Sequence, residues 1–298
     1  MNKTRCMAAV TAAGCLWGTI GVFSRLLGGC GFSSLQIVVL RSGTAAAMFA
    51  ACILAADIRL FKFKLRDTWC FLGTGICSNL FFSVCYFTAI DLVGAPTAAI
   101  LQYTSPAMVS VISIFVFKEA LTARRAAALA LSFSGCALIS LTGSLNLSVS
   151  GVACGLGAGL GYALLSIFSS LAVRRGYTSI TVNFYTCLFA AAGALLIDGG
   201  AMWSVAAPAS SLPLIAATGA VSCFLPSWLY VRGLSGIEAS RASIMASLEP
   251  VVATLAGVFA FGDRLTPSLA AGAVLILASV FVTGRSPKAA HPSRGAQQ

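Results

Sequence analysis

The chain has 298 residues, of which 58% are hydrophobic and 9% charged, and a mean hydropathy of +0.94. Soluble domains carry about 25% charged residues, so this composition excludes one and implies a chain that crosses a membrane many times. The formal charge of +11 would suggest nucleic acid as a partner in a soluble protein. Here the loop positions of the basic residues account for it instead, and no nucleic acid is expected.

Apolar runs predict ten spans in an all-α protein. Lys3 and Arg5 precede the first, Cys6–Leu27, and imitate a secretory leader; Leu27-Gly28-Gly29-Cys30 imitates a lipoprotein cleavage box. Both readings fail because this span has a counterpart in the second half of the chain. The second, Ser34–Ala56, holds Arg41 within it. The third, Thr68–Ile90, carries Asn79 at its middle and Tyr86 near its end, and the fourth, Pro96–Phe117, carries Gln102, Tyr103, Ser105 and Pro106. The fifth is Arg125–Thr142. The sixth, Gly151–Val173, bears glycines at 151, 155 and 159 and then Tyr162. The seventh, Ile180–Ile197, contains Asn183 and Tyr185, and the eighth, Leu212–Val231, ends with Trp228 and Tyr230. The ninth, Ala239–Phe261, carries Ser247, Glu249 and Pro250; the tenth is Pro267–Thr283. Residues 285–298 form a polar tail with the lone His291.

The chain repeats itself. At an offset of 144 residues, Tyr86, Pro106, Phe115, Phe117, Glu119 and Leu121-Thr122 fall on Tyr230, Pro250, Phe259, Phe261, Asp263 and Leu265-Thr266. At 145, Trp17, Phe23 and Ser24 fall on Tyr162, Phe168 and Ser169. Two repeats are expected, residues 1–144 and 145–284, followed by the tail. Five spans per repeat is an odd number, so the halves have opposite orientation, the plan of secondary transporters whose sites lie near the midplane. Sixteen of the 19 basic residues fall in segments on one side if both termini are cytoplasmic, which is the orientation the positive-inside rule predicts.

The ninth span is the strongest functional candidate. A carboxylate at the centre of a membrane helix costs about 2.5–3.5 kcal/mol on insertion scales and normally faces a cavity or a partner. Pro250 lacks an N–H and frees the carbonyl of Ala246, and Pro106 does the same to Gln102 in the repeat mate. Such backbone is tolerated only inside protein or beside water. Glu249 is thus read as a proton- or substrate-linked carboxylate, the alternative being a structural carboxylate bonded to a neighbouring helix, with Gln102, Tyr103 and Ser105 as candidate partners; Tyr103 points about 100° away from its neighbours on the helix. Arg41 has three readings: a pair with Glu249, an anchor for an anionic group, or a donor to helix carbonyls. Its repeat mate at offset 144 is Tyr185. Trp17, Tyr162, Tyr86 and Asn79 are further lining candidates, with Asn183, Trp228 and Tyr230 beside them. Gly14 and Gly18, like the glycines of the sixth span, are read as close helix packing. The 11 cysteines show no CxxC or Cys/His cluster, so neither a metal site nor a disulfide framework is expected. No catalytic motif is present either, and no cofactor or enzymatic activity is expected.

Leu16-Trp17-Gly18, Leu40-Arg41, Tyr86-Phe87-Thr88-Ala89, Ser105-Pro106 and Lys118-Glu119-Ala120-Leu121-Thr122 occur in order in the first half. Leu248-Glu249-Pro250-Val251 and Gly262-Asp263-Arg264-Leu265-Thr266 follow in the second. In these features the chain resembles the drug/metabolite transporter superfamily, in its ten-helix EamA-like branch, over nearly its whole length. The resemblance implies an exporter or permease for amino acids, related metabolites or drugs, working by alternating access in the bacterial inner membrane. Two positions depart from the family's habit: Asp263 stands where Glu is usual, and Tyr185 where a basic residue is frequent. The expected partners are the lipid bilayer, a small-molecule substrate and protons, with the chain a monomer or homodimer. The alternatives are an importer of an anion or nucleotide sugar, which would call for more basic residues in the cavity than Arg41, and a non-transporting membrane interaction protein.

Overall fold

The structure, a computed structural model, describes residues 2–140, 148–205, 208, 211–262 and 266–284. Nine segments of the described residues are long and apolar enough to cross a membrane. They are α1 (Lys3–Gly29), α2 (Ser34–Ala56), α3 (Leu65–Val93), α4 (Ala95–Phe117), α6 (Val149–Arg174), α7 (Ser179–Asp198), α8 (Leu212–Leu234), α9 (Ala239–Phe261) and α10 (Pro267–Gly284). Helix α5, Ala123–Ser140, begins with Arg124 and Arg125 in its first turn and is a tenth helix of 18 residues. It lies along α10 at a mutual glycine crossing: a Cβ on Gly135 would stand 2.7 Å from the carbonyl oxygen of Gly272. Among the described residues there are no strands. Asp263, Thr142, His291, the expected repeat junction at 144–145 and the tail fall outside the described residues.

Local chemistry sets the helix ends. Ser33 caps α2 in a reciprocal box with Gln36, and Thr178 caps α7 by accepting from the backbone N–H of Thr181. These caps put the second helices of the two repeats in register at 145 residues, one more than expected. The mate of Arg41 is therefore Thr186, and Tyr185 does not occupy its place. At the far ends of α4 and α9, Lys118 and Gly262 are mates, and both adopt left-handed backbone with φ of 55° and 72°. Glycine does this freely, whereas Lys118 does it against its Cβ.

The membrane inverts the usual distribution of side chains. Large apolar groups point outward, as at the mates Phe115 and Phe259, which are 79% and 85% exposed. The interior is rich in Ser, Thr and Ala, packed among Val, Ile and Leu side chains and a few aromatic rings. Small residues let backbones approach where lipid supplies no hydrophobic drive between helices.

The inverted repeats interlock by exchanging contacts. A Cβ on Gly14 of α1 would stand 2.7 Å from the carbonyl oxygen of Ala246 in α9. A Cβ on its mate Gly159 of α6 would stand 3.3 Å from the carbonyl oxygen of Gln102 in α4. These two carbonyls are the ones Pro250 and Pro106 leave free, so each repeat covers the broken helix of the other. The third helices show the same exchange. Both α3 and α8 widen into π-helix, over Gly73–Leu80 and Thr218–Phe224. Gly75 there meets Phe189 of α7, and its mate Gly219 meets Thr44, the mate of Phe189, on α2.

Candidate functional site: a broken helix at Glu249

Helix α9 is two helices end to end, Ala239–Ala246 and Glu249–Phe261, and α4 divides likewise into Ala95–Gln102 and Ser105–Phe117. Each proline is the second residue of its second half, where its missing N–H costs least. Side chains at each break bond back to the preceding turn. Ser247 donates to the carbonyl of Ser243 at 3.2 Å, and Thr104 to that of Leu101 at 2.6 Å. Helix α1 has an unexpected third break at Gly18-Thr19, where Thr19 donates to the carbonyl of Leu16 at 2.7 Å. Gly18 lies against this region of α9: its Cβ would stand 2.7 Å from the carbonyl oxygen of Glu249.

Glu249 opens the second half of α9 and retains accessible surface, whereas all eight residues of Ala239–Ala246 are buried. Tyr162 of α6 donates to its Oε2 at 3.0 Å. Tyr162 meets its own repeat mate, Trp17, edge-on at 6.0 Å, and Trp17 lies 5.1 Å from Tyr230. The Tyr230 hydroxyl and Ser166 Oγ share a hydrogen bond of 2.7 Å. On the other flank Phe82 approaches Tyr162 at 5.7 Å and stacks on Tyr86 at 5.5 Å. Tyr103 packs beside Leu248 and Val251, adjoining Glu249. The carboxylate thus stands in an aromatic chamber whose walls come from both repeats.

The structure brings Glu249, Tyr162, Trp17, Tyr86 and Tyr103 together. Gln102 and Ser105 are buried at the break of α4, and Ser247 at the break of α9. Arg41 and Asn79 form a second group: Arg41 Nη2 donates to Asn79 Oδ1 at 3.5 Å. This side-chain amide partner on α3 is none of the three readings of Arg41. Three candidates sit elsewhere. Tyr185 donates to the carbonyl of Phe61 at 2.6 Å inside a cluster with Phe63, Phe71 and Phe189. Asn183 ties α7 to α8 through the carbonyl of Ser227 at 3.0 Å. Trp228 lies under Arg232, 4.9 Å away. Phe82 was not among the expected wall residues; a lone phenylalanine in an apolar span carries no signal. The π segments were legible in principle, because Thr74, Gly75, Ser78 and Ser83 recur as Thr218, Gly219, Ser222 and Ser227.

A cavity of about 260 Å³ lies behind Tyr103, between α4 and α5, lined mainly by Thr104, Pro106, Ala107, Leu129 and Phe133. It is an apolar space on the flank of the broken helix and does not include Glu249.

The model of the EamA-like transporter family matches twice, over residues 4–141 and 149–285. An uncharacterized transporter of Archaeoglobus fulgidus is 28% identical over 295 residues, covering 94% of this chain and 98% of that protein. Two uncharacterized transporters of Bacillus subtilis are also similar. YwfM is 25% identical, covering 68% of this chain and 69% of its own length; YvbV is 25% identical, covering 80% and 79%. A crystal structure superposes with a TM-score of 0.78 at 19% identity, covering 93% of this chain and 96% of that one. That likeness speaks to the fold.

Proposed function

We propose a function from the premise that this chain belongs to the EamA-like transporter family, whose model it matches twice. It is a multi-pass membrane protein of a transporter type. Within that class, our reading is a secondary transporter that exports a small polar or amphipathic metabolite, such as an amino acid or a related compound, by alternating access. The basic loops lie on the cytoplasmic face of the inner membrane, with both termini inside, and the lipid bilayer and a small-molecule substrate are its partners.

One observation carries this reading. Glu249 is an ionisable group at a broken mid-span helix, hydrogen-bonded by Tyr162 of its own repeat and faced by Trp17 and Tyr86 of the other, which reach it through the ring of Tyr162. A carboxylate there is a natural acceptor for a proton or for a cationic group of the substrate, and intramembrane ionisable residues are functional by default. Tyr162 and Glu249 belong to the second repeat and Trp17, Tyr86 and Tyr103 to the first, so rocking one half against the other changes the surroundings of this bond. That ties the protonation of Glu249 to the conformation, which is what coupling requires. We assign Tyr162, Tyr86, Trp17 and Tyr103 to the chamber wall and Arg41 with Asn79 to its second polar group.

The test uses inside-out vesicles with a pH-sensitive dye and a pooled amino-acid and metabolite mixture, comparing wild type with Glu249→Gln. Collapse of the proton gradient on substrate addition in wild type alone supports proton-coupled export. Equal flux in both proteins removes Glu249 from the coupling machinery. No flux in either favours the non-transporting reading.

A further inference from the structure

Four charged side chains from opposite repeats meet at the end of the bundle that carries the basic loops. Arg125, at the start of α5, donates to Glu238, just before α9, and to the carbonyl of Ala120 at 3.0 Å. The same guanidinium stands 3.8 Å from Glu119, in the exit of α4. Ser240 of α9 donates to Glu119, and Arg125 reaches Ser240 Oγ at 3.4 Å. One residue further, Arg241 donates to the last carbonyls of α10, those of Thr283 and Gly284, the latter at 2.8 Å. Glu119, Arg125, Ser240 and Arg241 are all buried. Charges at a solvated mouth do not need burial; these are gathered inward and cross-linked between halves.

Among the described residues the other mouth has no equivalent; Asp263, at the place of Glu119, lies outside them. At the repeat offset of 144, the places of Arg125, Glu238, Ser240 and Arg241 are taken by Leu269, Gly94, Pro96 and Thr97. Burial follows the charges. Every residue of Ala239–Ala246 is buried, but in its mate Ala95–Gln102 only Thr97, Ala98 and Gln102 are. The fold is doubled and the closure is not.

We propose that the Arg125–Glu119–Glu238–Ser240 cluster, with Arg241 behind it, is a latch that shuts the basic mouth of the chamber. It locks the first half of α9 to α4, α5 and α10 and must part for Glu249 to be reached from that side. Its composition suits a latch better than a permanent clamp. Glu119 Oε1 is buried without a hydrogen-bond partner among the described residues, so the closed state holds an imperfectly satisfied carboxylate. Buried ion pairs pay heavily in desolvation, and parting returns these groups to water at the mouth. The two states are thereby brought close in free energy, as a switch requires. This inference goes beyond the proposed cargo, because it concerns which mouth is closed and by what.

The test reads accessibility and needs no substrate. Ser243, one turn deeper than Ser240 and 2% exposed, donates to the Ser240 carbonyl at 3.0 Å. In the full chain, Ser243→Cys is labelled by a membrane-impermeant maleimide added to the basic face of inverted vesicles, and labelling is read site by site by mass spectrometry. Native Cys187, 1% exposed between α7 and α8, reports general loosening. Protection of Ser243→Cys is expected with Arg125 intact, and labelling at least tenfold faster with Arg125→Ala added, while Cys187 stays unlabelled. Arg125→Lys, which keeps a cation between Glu119 and Glu238, should retain protection. Equal protection with and without Arg125, labelling of Cys187 as fast as of Ser243→Cys, or a monodisperse Arg125→Lys protein as open as Arg125→Ala would each overturn the latch. A protein that moves no metabolite but opens on loss of Arg125 would refute the proposed export and leave the latch standing.

Discussion

The first halves of α9 and α4 are the same element twice, one entering from the basic mouth and the other from the opposite mouth. One is enveloped along its length; the other is buried at three positions of eight. Their second halves lean the opposite way: Ser105–Phe117, which runs to the basic mouth, buries five residues, and Glu249–Phe261 buries three. Duplication therefore fixed the framework without fixing the state. What both repeats share, the proline breaks, π segments and glycine crossings, describes how the halves can move. What only one carries, the charge cluster, describes where they rest.

That comparison breaks first at Arg125. Removing one partner from a buried charge network costs about 3–5 kcal/mol because the others remain buried and unpaired. Arg125→Ala should therefore unfold well below wild type in a detergent melt. Its positional mate Leu269→Ala, half-buried at the other mouth, should change the midpoint far less. Equal losses at both mates would mean that the two mouths are energetically alike despite their different burial.

Tyr162→Phe separates the chamber from the mouth. It removes the one hydroxyl that donates to Glu249 and keeps the ring that meets Trp17 and Phe82. Hydrogen bonds to charged groups contribute about 1.5–3 kcal/mol. The expected result is a modest loss of stability with a displaced pH profile of transport, while protection of Ser243→Cys at the basic mouth is unchanged. An unaltered profile would remove Tyr162 from coupling.

Gly14→Ala and Gly159→Ala probe the shared framework. In each variant the new Cβ presses on the partner helix, 2.7 Å from the Ala246 carbonyl oxygen or 2.8 Å from Thr104 Oγ1, and overpacking of this kind costs about 1–3 kcal/mol. The two losses should be of the same order, with Gly14→Ala the larger, because its Cβ meets the Ala246 carbonyl at 2.7 Å where that of Gly159 meets the mate carbonyl of Gln102 at 3.3 Å. A large inequality would show that the crossings, too, have diverged.

How much of this was legible in the residues alone depends on whether local chemistry or assembly decides the feature. Composition and apolar length place the spans, and Pro106, Pro250 and Glu249 mark the broken helices, because proline and a buried carboxylate act locally. Trp17 and Tyr162 could be named as mates, but that mates would touch requires the pseudo-twofold axis to pass between them. The basic residues Arg125 and Arg241 were read as topology signals, and their numbers fit that reading. Their second use is invisible in one dimension, since Glu119 and Glu238 lie 119 residues apart and meet only through Arg125. Tyr185 failed as a counterpart of Arg41 by one residue, a slip that the caps Ser33 and Thr178 correct once the helices are seen.

The smallest expected effect lies at the same basic mouth. Arg175 and the hydroxyl of Tyr177 both donate to Asp67, the latter at 2.7 Å, and the N–H of Lys64 donates to Tyr177 at 3.1 Å. The corresponding places are Ser211 at offset 144 and Cys30 and Phe32 at 145, so among the described residues this cluster, too, exists at one mouth only. Burial, then the bond to Asp67, pushes the Tyr177 phenol above its ordinary value. A group whose pKa is higher folded than unfolded binds its proton more tightly in the native state. Its contribution is complete below the unfolded value of about 10 and is lost as pH rises through the folded one. Melts across that alkaline window should show wild type losing stability that Tyr177→Phe, having no phenol to titrate, does not lose. Parallel curves would mean that Asp67 is held by Arg175 alone, and that the second cluster adds nothing to the difference between the mouths.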